Sequence, residues 1–325
     1  MHWAVRCLAA RCLAAGAAGL AAAVVAASPA TAIIGGADTP PRAFPFMVAL
    51  VDHRAPPVSE ASYQYCGGTL IAAQWVLTAA HCLYLGPRAR AAQDIDVYAG
   101  SDDFSNGERI GVAELVIHPQ FDRLRGFNDI ALIHLARGPR ADLAIVPVKL
   151  ASDPDLKDVP PSRIGTIAGW GKTESGVAPK HLRAVDLVLP FIGYCLADDE
   201  LLKARWGDIE FVLKYMHIDA SIQSQIYDRI LKQRQAGEPS RELCTGASAQ
   251  ASGRRNPFLP PPGPCQSDAG GPLLATKPDG MLVQLGIISF PAGYEDKACG
   301  NQAYQPFYVS TGAYSDWINT VISKP

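Results

Sequence analysis

The sequence predicts an all-β chain built in two halves, and three observations carry that prediction. Short apolar runs of strand length recur between residues 46 and 135, separated by turn signals such as Ser105-Asn106-Gly107 and His118-Pro119. That spacing argues for strands that close into a barrel rather than for βαβ units. A stretch rich in Pro, Asp and Lys, residues 137–163, then reads as a crossing to a second set of strands. Finally, six of the eight cysteines lie beyond an N-terminal leader, an even number in an exported chain, which favours disulfides over metal ligation. Six cysteines allow fifteen pairings, and the residues alone do not choose among them.

Composition sets the outer bounds. With 325 residues, 48% apolar and 18% charged, the chain suits one large domain or two small ones and gives no sign of disorder. Residues 1–32 differ from the rest: Arg6 and Arg11 precede an Ala-, Leu- and Val-rich run from residue 12 to 27, and Ala30-Thr31-Ala32 closes it. This is the pattern of a signal peptide with an A-x-A cleavage site, so the chain is expected to be secreted, to the extracellular space or a periplasm. The alternative, a single membrane anchor, is disfavoured because the run is Ala-rich and short for a span. Once the leader is gone, 27 basic residues face 31 acidic ones, a net charge of −4 with His neutral. No basic block occurs, so neither nucleic acid nor a membrane surface is expected as a partner.

Along the mature chain, Ile33-Ile34-Gly35-Gly36 comes first, and residues 46–51 read as a buried strand by length and content. A polar loop, 52–64, leads to two short strand patterns joined by a tight connection, the first over Cys66-Gly67-Gly68-Thr69-Leu70-Ile71. The second ends in Thr78-Ala79-Ala80-His81-Cys82. Farther on, Asn128-Asp129-Ile130-Ala131-Leu132-Ile133 opens another apolar strand. The second half begins at Gly165-Thr166-Ile167-Ala168-Gly169-Trp170-Gly171 and continues through a strand over 184–190. Between Cys195 and Cys244 lies an insertion, about 196–240, with helical character. Asp198-Asp199-Glu200 suit a helix N-terminus, and Ile218, Ile222, Ile226 and Ile230 recur at steps of four before Gly237. It reads as a helical hairpin stacked on the second half. A long Pro-rich loop, 245–264, carries Arg254-Arg255, a candidate site for proteolytic nicking. It delivers Cys265-Gln266-Ser267-Asp268-Ala269-Gly270-Gly271-Pro272, and Ile287-Ile288-Ser289-Phe290-Pro291 follows. Tyr314, Trp317, Ile318, Val321 and Ile322 end the chain at helical spacing.

Five of these segments, Ile-Ile-Gly-Gly, Ala-Ala-His-Cys, Asn-Asp-Ile-Ala-Leu, Gly-Trp-Gly and Ser-Asp-Ala-Gly-Gly-Pro, stand in one order, and that order resembles the chymotrypsin/trypsin-like serine proteases. The resemblance covers residues 33–325. It implies two antiparallel β-barrels, about 45–140 and about 160–312, with a C-terminal helix and a cleft between the barrels. It implies His81 as general base and Asp129 as the carboxylate that orients it. It pairs the cysteines as Cys66–Cys82, Cys195–Cys244 and Cys265–Cys299. A freed Ile33 ammonium would pair with Asp268, and signal-peptide removal after Ala32 would free it. The N–H groups of Ser267 and Ala269 would form an oxyanion hole. Gly263 stands where the trypsin branch has a pocket Asp, so a preference for Lys or Arg has no support. Ser289, Phe290 and Pro291 correspond to the strand against which a substrate backbone pairs, although Pro291 has no N–H to give.

Two departures shape the functional expectation. Ser267 stands where the family has Gly, and Ala269 stands where it has the attacking Ser. Loss of that nucleophile costs on the order of 10⁶ in kcat. The expected protein is therefore a pseudoprotease that holds a peptide or protein in the cleft, with a further protein partner possible at the helical insertion. The alternative is a serine endopeptidase disabled by a Ser-to-Ala change at 269. No cofactor or metal is expected: the seven His are scattered and no HExxH occurs.

Overall fold

The computed structural model describes residues 33–56, 63–104, 106–123, 126–152, 164–173, 175–189, 219–225, 242–244, 262–289, 299 and 307–324. Residues 1–32, expected to be a signal peptide, most of the insertion and the Arg254-Arg255 loop lie outside these residues. In chain order the strands are β1 (Ala37–Asp38), β2 (Met47–Asp52), β3 (Gln64–Ala72), β4 (Trp75–Thr78), the short pair β5 (Tyr84–Leu85) and β6 (Arg88–Ala89), β7 (Ile95–Ala99), β8 (Glu108–Ile117) and β9 (Ala131–Leu135). Then come β10 (Lys149–Leu150), β11 (Ile164–Gly169), β12 (Arg183–Val188), β13 (Glu242–Cys244), β14 (Pro272–Thr276), β15 (Leu282–Ser289) and β16 (Phe307–Ser310), and the helix Ser315–Ile322 ends the chain.

Six strands of the first half close on themselves in the order β2-β3-β4-β9-β8-β7. Closure leaves no open edge, and the inward residues fill the barrel. Val48, Leu50, Val76, Leu77, Ile95, Val97, Leu132 and Ile133 of these strands are all buried. β2 and β7 read as apolar runs because both faces are buried: Val48, Leu50, Ile95 and Val97 join one cluster, while Met47, Ala49, Val51 and Tyr98 join a second with Trp170 and Leu274.

In the second half the expected closed barrel is an open eight-stranded sheet among the described residues. Its order is β1-β12-β11-β14-β15-β16-β13, with β10 added on β15. The ends of that path are β1, two residues long, and β13, whose three residues are flanked by chain outside the described set. Only residues 220–225 of the insertion are described as helix, and they turn the expected face around. Gln223 is buried there, whereas Ile222, from the step-of-four isoleucine pattern, is 47% exposed.

The crossing segment locks the halves together. Val148 N–H donates to Leu70 O of β3 at 2.9 Å, and the next two residues pair in parallel with Val283 and Gln284 of β15. Thr69 Oγ1 donates to Gln284 Oε1 at 2.7 Å with both residues fully buried. A second tie runs from the β7–β8 connection, where Phe104 stacks on Tyr98 and meets the Trp170 ring edge-on at 5.8 Å. Trp170 Nε1 donates to Asp102 O at 3.0 Å, so the buried indole is satisfied from the other half. No helix among the described residues is long and apolar enough to cross a membrane.

Candidate active site

β4 ends at Thr78, and the chain turns at once into a 3-10 helix, Ala80–Leu83, that carries His81 and Cys82. The Cys66–Cys82 disulfide ties this turn back to β3. Asp129 arrives from the β8–β9 connection and is completely buried. Its Oδ1 accepts the His81 backbone N–H at 2.7 Å, and its Oδ2 lies 2.6 Å from His81 Nδ1. A carboxylate can only accept, so the proton of that contact sits on Nδ1, and in the neutral ring Nε2 is the basic nitrogen. Ser289 Oγ gives Asp129 Oδ2 a further bond at 2.6 Å. Expected as part of a substrate-pairing strand, Ser289 therefore spends its hydroxyl on the buried carboxylate. Phe290 and Pro291 lie outside the described residues.

The C-terminal segment braces the Asp129 turn. Asn128 adopts φ 54°, in the left-handed region that short polar side chains tolerate. Its amide donates to Gln120 O at 2.8 Å and accepts Tyr314 O–H at 2.7 Å.

The loop at 265–271 faces this pair. Ala269 O accepts the N–H of Gly67 at 2.7 Å, and Gly270 N–H and Ile288 N–H fix the next residues against β15. Cys82 Sγ lies 3.7 Å from Ala269 O and 3.8 Å from His81 Nε2, so it bridges the loop and the imidazole. A side chain on Gly270 would meet Thr78 Oγ1 and Gly67 O well inside contact distance, and its φ is 81°. Only glycine lets the loop approach the barrel this closely. Ser267 holds φ 71° with a Cβ, and its carbonyl accepts Gln64 Nε2 at 2.8 Å. The N–H groups of Ser267 and Ala269 have no acceptor among the described residues.

Asp268 points away from His81 into the second half. Its Oδ1 accepts Gly171 N–H and its Oδ2 accepts Cys265 N–H, each at 2.9 Å. A Cβ at position 169 or 171 would collide with this carboxylate, which gives the Gly-Trp-Gly motif its physical reason. Burial pushes the Asp268 pKa up from 3.8 to about 7, against the pull of those two N–H groups. Ile33 is fully buried with φ 46°, a strained value for a β-branched residue inside an unbroken chain. In that chain its nitrogen is an amide, and no cation pairs with Asp268 among the described residues. Ile34 bridges to Gly263, whose N–H donates to Ile34 O at 3.0 Å, and a Cβ at 263 would face open space.

Cys265 is bonded to Cys299. The Cys195–Cys244 pairing falls on residues whose side chains lie outside the described set. Sulfurs of Cys66 and Cys82 and the His81 ring come within 4.8 Å of one another, but a disulfide sulfur is not the thiolate that binds metal. The sequence did not announce the Gln64 bond to Ser267, the Tyr314 bond to Asn128 or the Ser289 bond to Asp129. Gln64 alone left a signal, a polar residue at the head of an otherwise apolar strand.

A profile of the Trypsin family matches residues 33–195. The chain is 27% identical over 294 residues to a trypsin of Phaedon cochleariae, covering 90% of this chain and 89% of that one. It is 25% identical over 306 residues to human chymotrypsin-like elastase family member 3B, covering 91% of each. It is also 27% identical to human serine protease 56, of whose length the match covers 39%.

Proposed function

Because this chain belongs to the trypsin family of serine proteases, we propose that it is an exported member that binds a peptide or protein segment in the inter-barrel cleft without cleaving it. The observation that carries this reading is Ala269: the residue that the loop brings up against Cys82, beside His81, carries a methyl group. A methyl group cannot attack a carbonyl, so the His81–Asp129 pair has no hydroxyl at that position to deprotonate.

The rest of the site supports binding in an active-like shape. His81 holds its basic nitrogen toward the cleft by the Nδ1 bond to Asp129, and Ser289 anchors the same carboxylate. Ser267 and Ala269 present two N–H groups without acceptors among the described residues, suited to a carbonyl oxygen of the bound chain. Gly263 takes the place of the trypsin branch's pocket Asp, and a Cβ there would face open space. Ile33, once freed from residue 32, supplies the ammonium that Asp268 lacks, and the strained φ of the unbroken chain disappears with the peptide bond.

A second reading has one observation in its favour. The intact Asp129–His81 pair and the two N–H groups are what a working endopeptidase needs beside its serine, which fits such an enzyme disabled by a Ser-to-Ala change at 269. The two readings separate on Ala269→Ser. We expect the reverted protein to leave a mixed peptide pool uncut and a serine-directed phosphonate unbound, because Ser267 carries a side chain where the family has Gly and Pro291 has no N–H to give. Fast hydrolysis or labelling would favour the disabled enzyme.

A further inference from the structure

Residues 33–39 run as a strap along the edge of the second half, and apolar packing holds only their inner end. Ile33 and Ile34 are buried, whereas Ala37 and Asp38 are exposed. β1 meets β12 through the pairs Ala37↔Ala184 and Asp38↔Arg183. Cross-strand side chains stabilise a sheet by what they add over an Ala–Ala pair, so the first of these pairs adds nothing beyond the ladder.

Arg183 supplies the missing tie. Its side chain is buried, its Nη2 donates to Gly36 O, and its Nη1 lies 3.1 Å from Asp38 Oδ1. One planar guanidinium thus clasps the strap on both sides of Ala37. A buried guanidinium is costly unless it is paired and hydrogen-bonded, and here the strap provides both acceptors. Thr39 extends the attachment, its N–H and Oγ1 both donating to Leu182 O, at 2.9 and 3.2 Å.

From the clasp a run of bonds leads to Asp268. Gly36 N–H donates to Ile33 O at 2.7 Å, and Ile34 O accepts Gly263 N–H at 3.0 Å. Two residues beyond Gly263, Cys265 N–H donates to Asp268 Oδ2 at 2.9 Å. The strap is therefore docked on the segment that holds Asp268 while the chain is still unbroken before Ile33.

Resting on the reading that a freed Ile33 ammonium pairs with Asp268, we propose that Arg183 is the positioning residue for that pairing. Its clasp seats the strap in advance, so breaking the chain before Ile33 frees the amine in place and requires no movement of the strap. Without the guanidinium, Gly36 O loses its donor and Asp38 its partner, and the strap peels from the sheet edge and carries the amine into water.

Acetylation of the Ile33 amine in the mature chain tests this, followed by mass spectrometry of the N-terminal peptide. The unmodified chain is expected to react slowly. Arg183→Met should react at least about 100-fold faster, the scale of removing one member of a buried ionic pair. Arg183→Lys should fall between, since an ammonium does not reproduce the planar clasp. Asp38→Asn, at an exposed position, should react about two- to fivefold faster. Thr69→Val, which removes a buried bond outside the strap, controls for a general loss of stability and should leave the amine protected. Equal protection in Arg183→Met and the unmodified chain would overturn the clasp and leave the Ile33–Asp268 pairing standing. Equal exposure in Thr69→Val and Arg183→Met would overturn it as well. Should Arg183→Met not fold, Asp38→Asn decides, and unchanged protection there counts against the clasp. An amine that reacts in the unmodified chain as fast as in a free peptide would remove the pairing and the proposal together.

Discussion

Asp268 gives the most quantitative prediction. In a chain that still continues N-terminal to Ile33, the buried carboxyl binds its proton up to about pH 7, whereas an unfolded Asp releases it near 3.8. Between those values the native state holds more protons than the unfolded state, so stability falls as pH rises. The gap corresponds to about 4 kcal/mol of stability lost between roughly pH 4 and pH 7. That is a large share of the ~5–15 kcal/mol that holds a domain together. A chain that begins at Ile33 should behave in the opposite way. There the ammonium pairs with an ionised Asp268, its pKa drops below the unfolded value, and stability is lost as pH falls through that depressed pKa. The assay is urea unfolding at pH steps from 4 to 8 on two proteins, one starting at Ala30 and one at Ile33, each with an Asp268→Asn partner to subtract other groups. Parallel pH profiles for the two forms would refute the coupling of Ile33 to Asp268.

Further outcomes follow from single contacts. Gly171→Ala places a Cβ 2.4 Å from the Asp268 carboxyl carbon and should lower stability by more than about 2 kcal/mol in urea unfolding, if the protein accumulates at all. Thr69→Val removes the buried donor to Gln284 Oε1 at nearly constant shape, and about 1–3 kcal/mol of stability should go with it. Ser267→Gly relieves a left-handed φ of 71° and should add about 1 kcal/mol in the same measurement. In an Ala269→Ser background, Ser267→Gly should also raise phosphonate labelling by about 10-fold or more, toward the value of a working oxyanion hole.

Legibility in the sequence followed the range of the interactions. The His81 and Asp129 positions were readable because each sits in a short local motif, and the structure brings the two side chains within 2.6 Å. Strands of the first barrel such as β2 and β7 were readable because burial on both faces writes a continuous apolar run into each. Contacts between remote residues write no such pattern. Gln64 on Ser267, Thr69 on Gln284 and Tyr314 on Asn128 each join residues some two hundred apart, and nothing near either member announces the partner. The last strand-like residues before Cys82 form a 3-10 turn instead, since the Asp129 carboxylate captures the His81 N–H that a ladder would have used. At Ile222 the step-of-four rule named the wrong face. A stripe of isoleucines shows amphipathicity but not which neighbour is on offer, and there the buried position is Gln223.

The site is proposed to hold polypeptide without cutting it. The direct measurement incubates the unmodified mature chain with a defined pool of peptides and follows both fractions by mass spectrometry. A subset of peptides should be retained on the protein, and every peptide should be recovered at full length. New peptide termini appearing at turnover above the uncatalysed background would contradict it.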